Sequence, residues 1–512
     1  MNPRLAFAVC LFAAALLPQA GHGLPRQEAA RASQCLDPPQ RLEELTSLRI
    51  EQGLPAEAEA LANCLVGIRP DSDDGWGLLA VTRYLQDDPL GALRAWSRGR
   101  PPVVRHVAIA IHGHDGPRAP GSGSSPARVS GIALGQPLTL ESLVLGERRL
   151  EALPATARAR LKYRADSMSE ASIEGTVVLG ANNPFTGPDL VPHGVRALAG
   201  RVHVESADPL GRLERWELDG KIEGSLRRAA FGLSHPGPNG SGVWRWRVDY
   251  EVGRYESALT EQVVREERTG LEWSHTDWVS ASLRAAIHTR IDFRPGRGTF
   301  AGAGVGWTVL ALNARSSVRA EGMGWARVRA PSKAGNAGNS TRFGRLELLG
   351  SLYPTLPEDG GAPSGLGARG GLMAVSAGTP ADLTPRMGAG GNAAALMRGR
   401  SDLDSRGVVR PLFPGRAWVH GGVELLYPVR VLGPIGVGLA LFADGVRVLT
   451  APRRSGYPTA GGARTGAIHL GAGVRTRIPG VDGWLRADWG IDPTRGGSQF
   501  SAAWVYAGPR AP

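Results

Sequence analysis

The sequence predicts a mainly β protein. A C-terminal transmembrane barrel of about sixteen strands follows a small α+β domain and an α-helical segment. Three observations predict it. From about residue 190, apolar and polar residues alternate, which is the period of a strand with two unlike faces. The polar faces carry arginine and aspartate together, which suits a wet lumen. Beyond the N-terminus there is no run of 18 or more apolar residues, so a helical membrane protein is excluded.

Composition sets the outer bounds. The 512 residues allow three or so domains at roughly 100–200 residues each. A hydrophobic content of 42% with 21% charged residues excludes general disorder. The 71 glycines lack a G-x-y period, which excludes collagen. The net charge of +12 is almost all arginine, since Lys162, Lys221 and Lys333 are the only lysines. Positive charge points to nucleic acid or an anionic surface but says nothing of fold.

Residues 1–23 read as an export signal: Arg4, a short apolar core from Leu5 to Leu17, then Pro18 and the small residues Ala20, Gly21 and Gly23. Cys10 leaves with it. Cys35 and Cys64 remain, and an oxidising compartment is expected to join them.

Residues 35–100 are helical in composition and carry a repeat at a spacing of 34, where Gln52, Pro55 and Ala58 recur as Gln86, Pro89 and Ala92. With Trp76, Leu79, Ala80, Tyr84 and Trp96, this resembles the tetratricopeptide pattern. The resemblance implies a groove for a periplasmic partner. A plain helical spacer is the alternative.

Residues 103–182 read as strand, helix, helix, strand, strand, with a flexible loop at 115–127. That order, with Gly135-Gln-Pro-Leu138 before a helix and Arg149-Leu150 before a Leu-Pro turn, resembles the polypeptide-transport-associated (POTRA) domain. The resemblance implies a client-guiding role by strand addition. A generic α+β domain fits as well. His112, His114 and Asp115 have the residue types for zinc, but His106 is the only other nearby candidate and no further ligand cluster is evident. They are read as a solvated loop, and no metal or cofactor is expected.

The barrel is read over residues 190–508. Val279 to Phe293 places Val279, Ala281, Leu283, Ala285, Ile287, Ile291 and Phe293 on one face, with Ser280, Ser282, Arg284, His288, Arg290 and Asp292 on the other. Val243–Val252, Leu470–Ile478, Leu485–Ile491 and Phe500–Tyr506 alternate in the same way. A soluble sandwich could hide the apolar face, but arginine on a lipid face costs roughly 2–4 kcal/mol at mid-membrane, which gives its segregation a physical reason in a barrel. The Gly/Pro-rich stretches Ala330–Ser340 and Pro357–Gly371 are read as long outer loops.

The last part of the chain is specific. Leu396-Met-Arg-Gly-Arg400, Gly421-Gly-Val-Glu-Leu-Leu-Tyr-Pro428, Gly436–Gly445, Gly471–Pro479 and Gly483–Gly490 occur in an order that resembles the outer-membrane assembly-factor superfamily, also called bacterial surface antigen proteins. It includes barrel insertases and two-partner secretion transporters. The resemblance spans residues 395–507 most clearly. It implies a sixteen-stranded barrel behind periplasmic domains, with a loop carrying an Arg-Gly pair folded into the lumen. Arg398 and Gly399 match that pair, and Glu424 and Asp444 match the acidic positions that would hold the loop. Arg400 stands where the family has an aromatic residue, and Gly445 directly follows Asp444. Both mark a divergent relative.

The resulting expectation is a non-enzymatic outer-membrane barrel that inserts or translocates unfolded client polypeptides. Its partners are membrane lipid, the clients and a periplasmic protein. A passive pore or structural barrel is the alternative. Esterase, zinc-protease and phosphate-loop motifs are missing. Nucleic-acid binding conflicts with the export signal and the dispersed arginines.

Overall fold

The computed structural model describes residues 35 and 37–505, except 114–115, 119–124, 168, 183–189, 199, 257–261, 312–314, 331–340, 353–362, 389–394, 399–400, 411–412, 414, 433–434, 451–465, 479–482 and 494–495. The export-signal residues, Cys10, Gly399, Arg400, His114 and Asp115 lie outside the described residues. The chain forms two compact units. One runs to Val103 and adds Pro137–Leu140 and Ala165–Ala171; the other holds the rest.

The first unit contains α1 (Pro39–Glu51), α2 (Pro55–Ile68), α3 (Asp73–Leu85) and α4 (Pro89–Trp96). Proline opens α1, α2 and α4, where its missing N–H costs nothing. Ser72 and Asp88 cap α3 and α4 by accepting from Gly75 N and Gly91 N at 3.1 and 2.9 Å. The repeat falls on equivalent positions: Gln52 and Gln86 end helices, Pro55 and Pro89 start them, and Ala58 and Ala92 are wholly buried. Cys35 and Cys64 form a disulfide with Cα atoms 5.2 Å apart, packed beside Leu42 and Leu65.

The second unit begins with β1 (Val103–Gly113), β2 (Gly116–Arg118), α5 (Pro126–Ser130), α6 (Leu140–Glu151), β3 (Thr156–Ala165) and β4 (Glu170–Leu179) in a sheet ordered β2-β1-β4-β3. The expected loop at 115–127 is therefore partly a strand, because Gly116–Arg118 folds back on Ile111–Gly113. Leu143, Leu150, Leu161, Ile173 and Val177 are buried. Among the described residues, no three His, Cys, Asp or Glu side chains gather as metal ligands.

Next comes α7 (Leu190–Leu198). The period-two region was expected to open with a strand here. Leu190, Val195 and Leu198 follow a helical spacing instead, so the first strand starts at Arg201. A single antiparallel sheet then runs through β5 (Arg201–Ala207), β6 (Arg215–Glu223), β7 (Leu226–Pro236), β8 (Val243–Glu256), β9 (Val263–Trp278), β10 (Leu283–Arg294), β11 (Gly298–Leu310), β12 (Ser316–Arg329), β13 (Arg342–Leu352) and β14 (Gly365–Val375). Two short strands, β15 (Met387–Gly388) and β16 (Ala395–Leu396), pair with each other alone. The large sheet resumes with β17 (Ala417–Leu432), β18 (Ile435–Thr450), β19 (Gly466–Arg477), β20 (Trp484–Asp492) and β21 (Gly497–Val505).

The described residues thus give fifteen strands where sixteen were expected, and the ladder stays open between β5 and β21. Both edge strands are short, at 7 and 9 residues, and α7 packs against both. The stretch Pro357–Gly371 is not simply an outer loop: Gly365 onward is β14. Its residues 357–362, like residues 331–340 of the other stretch read as an outer loop, lie outside the described residues.

Burial is inverted relative to a water-soluble sheet. Ile287, Leu441, Trp489 and Phe500 are 50%, 62%, 61% and 61% exposed, while Asp292, Arg475 and Asp488 are wholly buried. Water would drive the opposite arrangement. An apolar surround on the outer face and a polar interior account for it.

Candidate functional site

Between β14 and β17 lie residues 376–416, and the described ones among them touch strands far apart in the sheet order. The sheet therefore curves around this segment. Four attachments hold it.

The first is Arg398, which is 2% exposed. Its Nε and Nη2 donate to Asp444 at 2.8 and 2.9 Å, its backbone N donates to Asp444 Oδ2 at 3.2 Å, and Nη1 donates to Glu424. Asp488 Oδ2 lies 3.6 Å from Nη1. Glu424, Asp444 and Asp488 come from β17, β18 and β20, all on inward positions. Gly422 lies directly opposite Asp444. A Cβ at Gly422 would come within 2.6 Å of Asp444 Oδ1, so only glycine leaves space for the carboxylate.

The carboxylates also serve other arginines. Arg475 donates to Glu424 at 2.9 Å and to Asp488 at 2.7 Å. Arg486 lies 3.1 Å from Asp488, and Arg369 lies 3.4 Å from Asp444. A planar guanidinium can fork onto two carboxylates, which suits it to such a shared set.

The structure therefore brings Arg398, Glu424 and Asp444 together. It adds Asp488, Arg475 and Arg486, which the alternation puts on the polar faces of their strands, and Arg369, which falls in the Pro357–Gly371 stretch read as an outer loop and lies on β14 instead.

The second attachment is Asp382, in a 3-10 turn at Ala381–Leu383. It accepts from both terminal nitrogens of Arg294 at 2.8 and 3.0 Å, and Arg268 lies 3.3 Å away. Nothing in the local sequence around Asp382 signals this.

In the third attachment, backbone meets backbone. Glu256 N donates to Val409 O at 2.8 Å, Val409 N donates to Arg254 O at 2.9 Å, and Ser225 N donates to Gly407 O at 3.0 Å. The fourth is apolar: Met373, Met387, Met397, Phe413, Trp418, Val446 and Val448 pack together. The indole N–H of Trp418 donates to Phe413 O at 2.8 Å, which satisfies its one polar atom there.

At the opposite end of the strands, α6 meets the turns. Arg148 Nη2 donates to Ala311 O at 3.1 Å and its guanidinium stands 5.0 Å from the Trp278 ring centroid. Arg149 donates to Trp278 O at 3.0 Å and lies 3.7 Å from Asp277. Burial pushes the Arg148 guanidinium below its ordinary value, against the pull of Glu151 and Glu147.

No family model matches the sequence, and no curated protein matches it. Among solved structures, BamA from Haemophilus ducreyi lacking POTRA domains 1–3 is similar at 13% identity and a TM-score of 0.44, covering 78% of this chain and 85% of that one. CdiB from Escherichia coli is similar at 13% identity and a TM-score of 0.47, covering 78% and 75%. CdiB from Acinetobacter baumannii gives 12% identity and a TM-score of 0.46, covering 79% and 73%.

Proposed function

We propose that this chain is an outer-membrane barrel of the assembly-factor superfamily that admits client polypeptides to the membrane or the exterior. The carrying observation pairs a filled interior with an open edge. A passive pore needs a free lumen, yet Arg398 and Asp382, with the described residues beside them, attach to inward positions of the sheet. Among the described residues, β5 and β21 do not pair with each other in the ladder, so the sheet keeps two edges at the seam. An extended client can add to such an edge through main-chain hydrogen bonds.

On this reading α7 lies over the seam as a strap. The POTRA-like domain receives the client near the turns it clamps, and the tetratricopeptide-like helices recruit a partner in the periplasm after the export signal is removed. Hydrogen bonding and burial supply the work, with no covalent chemistry.

The experiment has two stages. The mature protein should fractionate with outer membranes and show heat-modifiable gel mobility; a soluble, non-modifiable product refutes the barrel. On depletion, client polypeptides should accumulate in the periplasm. Unchanged client levels with altered permeability would instead mean a passive pore.

A further inference from the structure

Lipid tails do not account for every outward-facing side chain. At the ends of β7, β8 and β9 nearest the 376–416 segment, three exposed arginines sit on outward positions: Arg227, Arg254 and Arg265. Arg254 stands directly opposite Arg265 in the ladder. Arg227 stands opposite Val252 and is therefore diagonal to Arg254. Side chains directly opposite lie about 5 Å apart at Cβ and diagonal ones about 7–8 Å, and like charges so placed repel.

Nearby carboxylates relieve this only in part. Glu267 lies 3.5 Å from Arg265 and also accepts from the Tyr250 hydroxyl at 3.3 Å. Glu256 is engaged by Arg410 at 3.2 Å. Among the described residues, no carboxylate forms an ion pair with Arg227 or Arg254.

The surroundings fix the depth. Along the same face toward the other end lie exposed Phe231, Trp246, Val248, Tyr250 and Leu271. The run from Trp244 to Val252 covers about 26 Å of strand. At a tilt of about 40° that projects to about 20 Å, close to the ~25 Å apolar band of such barrels. The arginines therefore begin where the tails end. At the other end of these strands the outward positions hold His235, Trp244, His275 and Asp277, with no arginine.

We propose that Arg227, Arg254 and Arg265 bind the phosphate-bearing headgroup of a lipid in the leaflet on the side of the 376–416 segment. A phosphate offers several oxygens to forked guanidinium donors and neutralises the repulsion between them. The proposal rests on the barrel reading.

The test uses the full mature chain in phosphatidylcholine nanodiscs. The probes are a bisphosphorylated lipid A-type glycolipid, its dephosphorylated form, and inorganic phosphate. The wild type should retain the phosphorylated lipid at least about tenfold better than the dephosphorylated one, in line with charge-assisted bonds. The double variant Arg254→Gln/Arg265→Gln should lose that preference while remaining heat-modifiable. Equal retention of both lipids, or an unchanged preference in the folded variant, overturns the proposal. Displacement of the lipid by inorganic phosphate at matched concentration marks a free-anion site and also overturns it. A wild type that is soluble and not heat-modifiable refutes the barrel reading instead.

Discussion

The guanidinium carbon of Arg398 lies 3.5 Å from the centroid of the Phe442 ring, and the edges of the same guanidinium bond to Asp444. Phe442 and Asp444 alternate along β18 on its inward face. One strand thus supplies the surface on which the guanidinium lies and the carboxylate that sets its direction. A flat cation fits this arrangement, and a tetrahedral ammonium does not.

Arg398→Ala should lower the temperature of heat modification, with a cost of about 3–5 kcal/mol if the cluster is fully desolvated. Arg398→Lys should rescue little of it, because lysine cannot fork. Gel mobility against temperature measures both. An alanine variant indistinguishable from wild type would remove Arg398 as an anchor.

Asp382→Asn leaves Arg294 and Arg268 buried without their shared carboxylate. The loss should be at most about 3–5 kcal/mol, moderated by Glu266, which lies 3.8 Å from Arg294. Because Asp382 holds one side of the segment and Arg398 the other, single-channel conductance should rise in each variant and rise further in the double variant. An unchanged conductance in Asp382→Asn would mean that the segment keeps its place without this attachment.

Gly224 and Gly407 approach each other with φ of +59° and +71°; a Cβ added to Gly407 would lie 2.8 Å from the Gly224 Cα. Gly407→Ala should therefore strain the crossing by about 1–3 kcal/mol and weaken the bond between Ser225 N and Gly407 O. Proteolysis within residues 376–416 should become faster. Equal rates would show that the crossing tolerates a side chain.

The disulfide between Cys35 and Cys64, 29 residues apart, should stabilise the helical unit by about 3–4 kcal/mol on the chain-entropy account. A reductant should lower its unfolding midpoint, and the unreduced mature protein should titrate no free thiol. Two free thiols would refute the bond in solution.

Sequence reading reached the strands through their period. Val243–Val252, Leu485–Ile491 and the polar partners of each lie within β8 and β20. It extended Val279–Phe293 too far, since β10 begins at Leu283. Val279 N donates to Leu283 O at 2.8 Å and Leu283 N donates to Ser280 Oγ at 3.1 Å, which makes a turn. Alternation cannot distinguish a serine that faces a lumen from one that closes a turn.

Arg398, Glu424 and Asp444 were legible because their flanking motifs carried a family resemblance. Asp382 was not legible. It sits in a stretch without period, and its partners Arg268 and Arg294 are more than eighty residues away, joined to it only by the curvature of the sheet. The helix at Leu190–Leu198 was missed because period two was carried back past the first strand.

The attachment at Arg398 also bears on how the chain is completed. Its carboxylate partners, Glu424, Asp444 and Asp488, all follow it in the sequence and arrive on β17, β18 and β20. During assembly the arginine is present before any acid that can neutralise it. A chain cut short after β18 would have two of the three carboxylates and would lack Asp488. The same truncation removes Arg475 and Arg486, so the shared set of arginines and carboxylates is complete only when β19 and β20 have arrived.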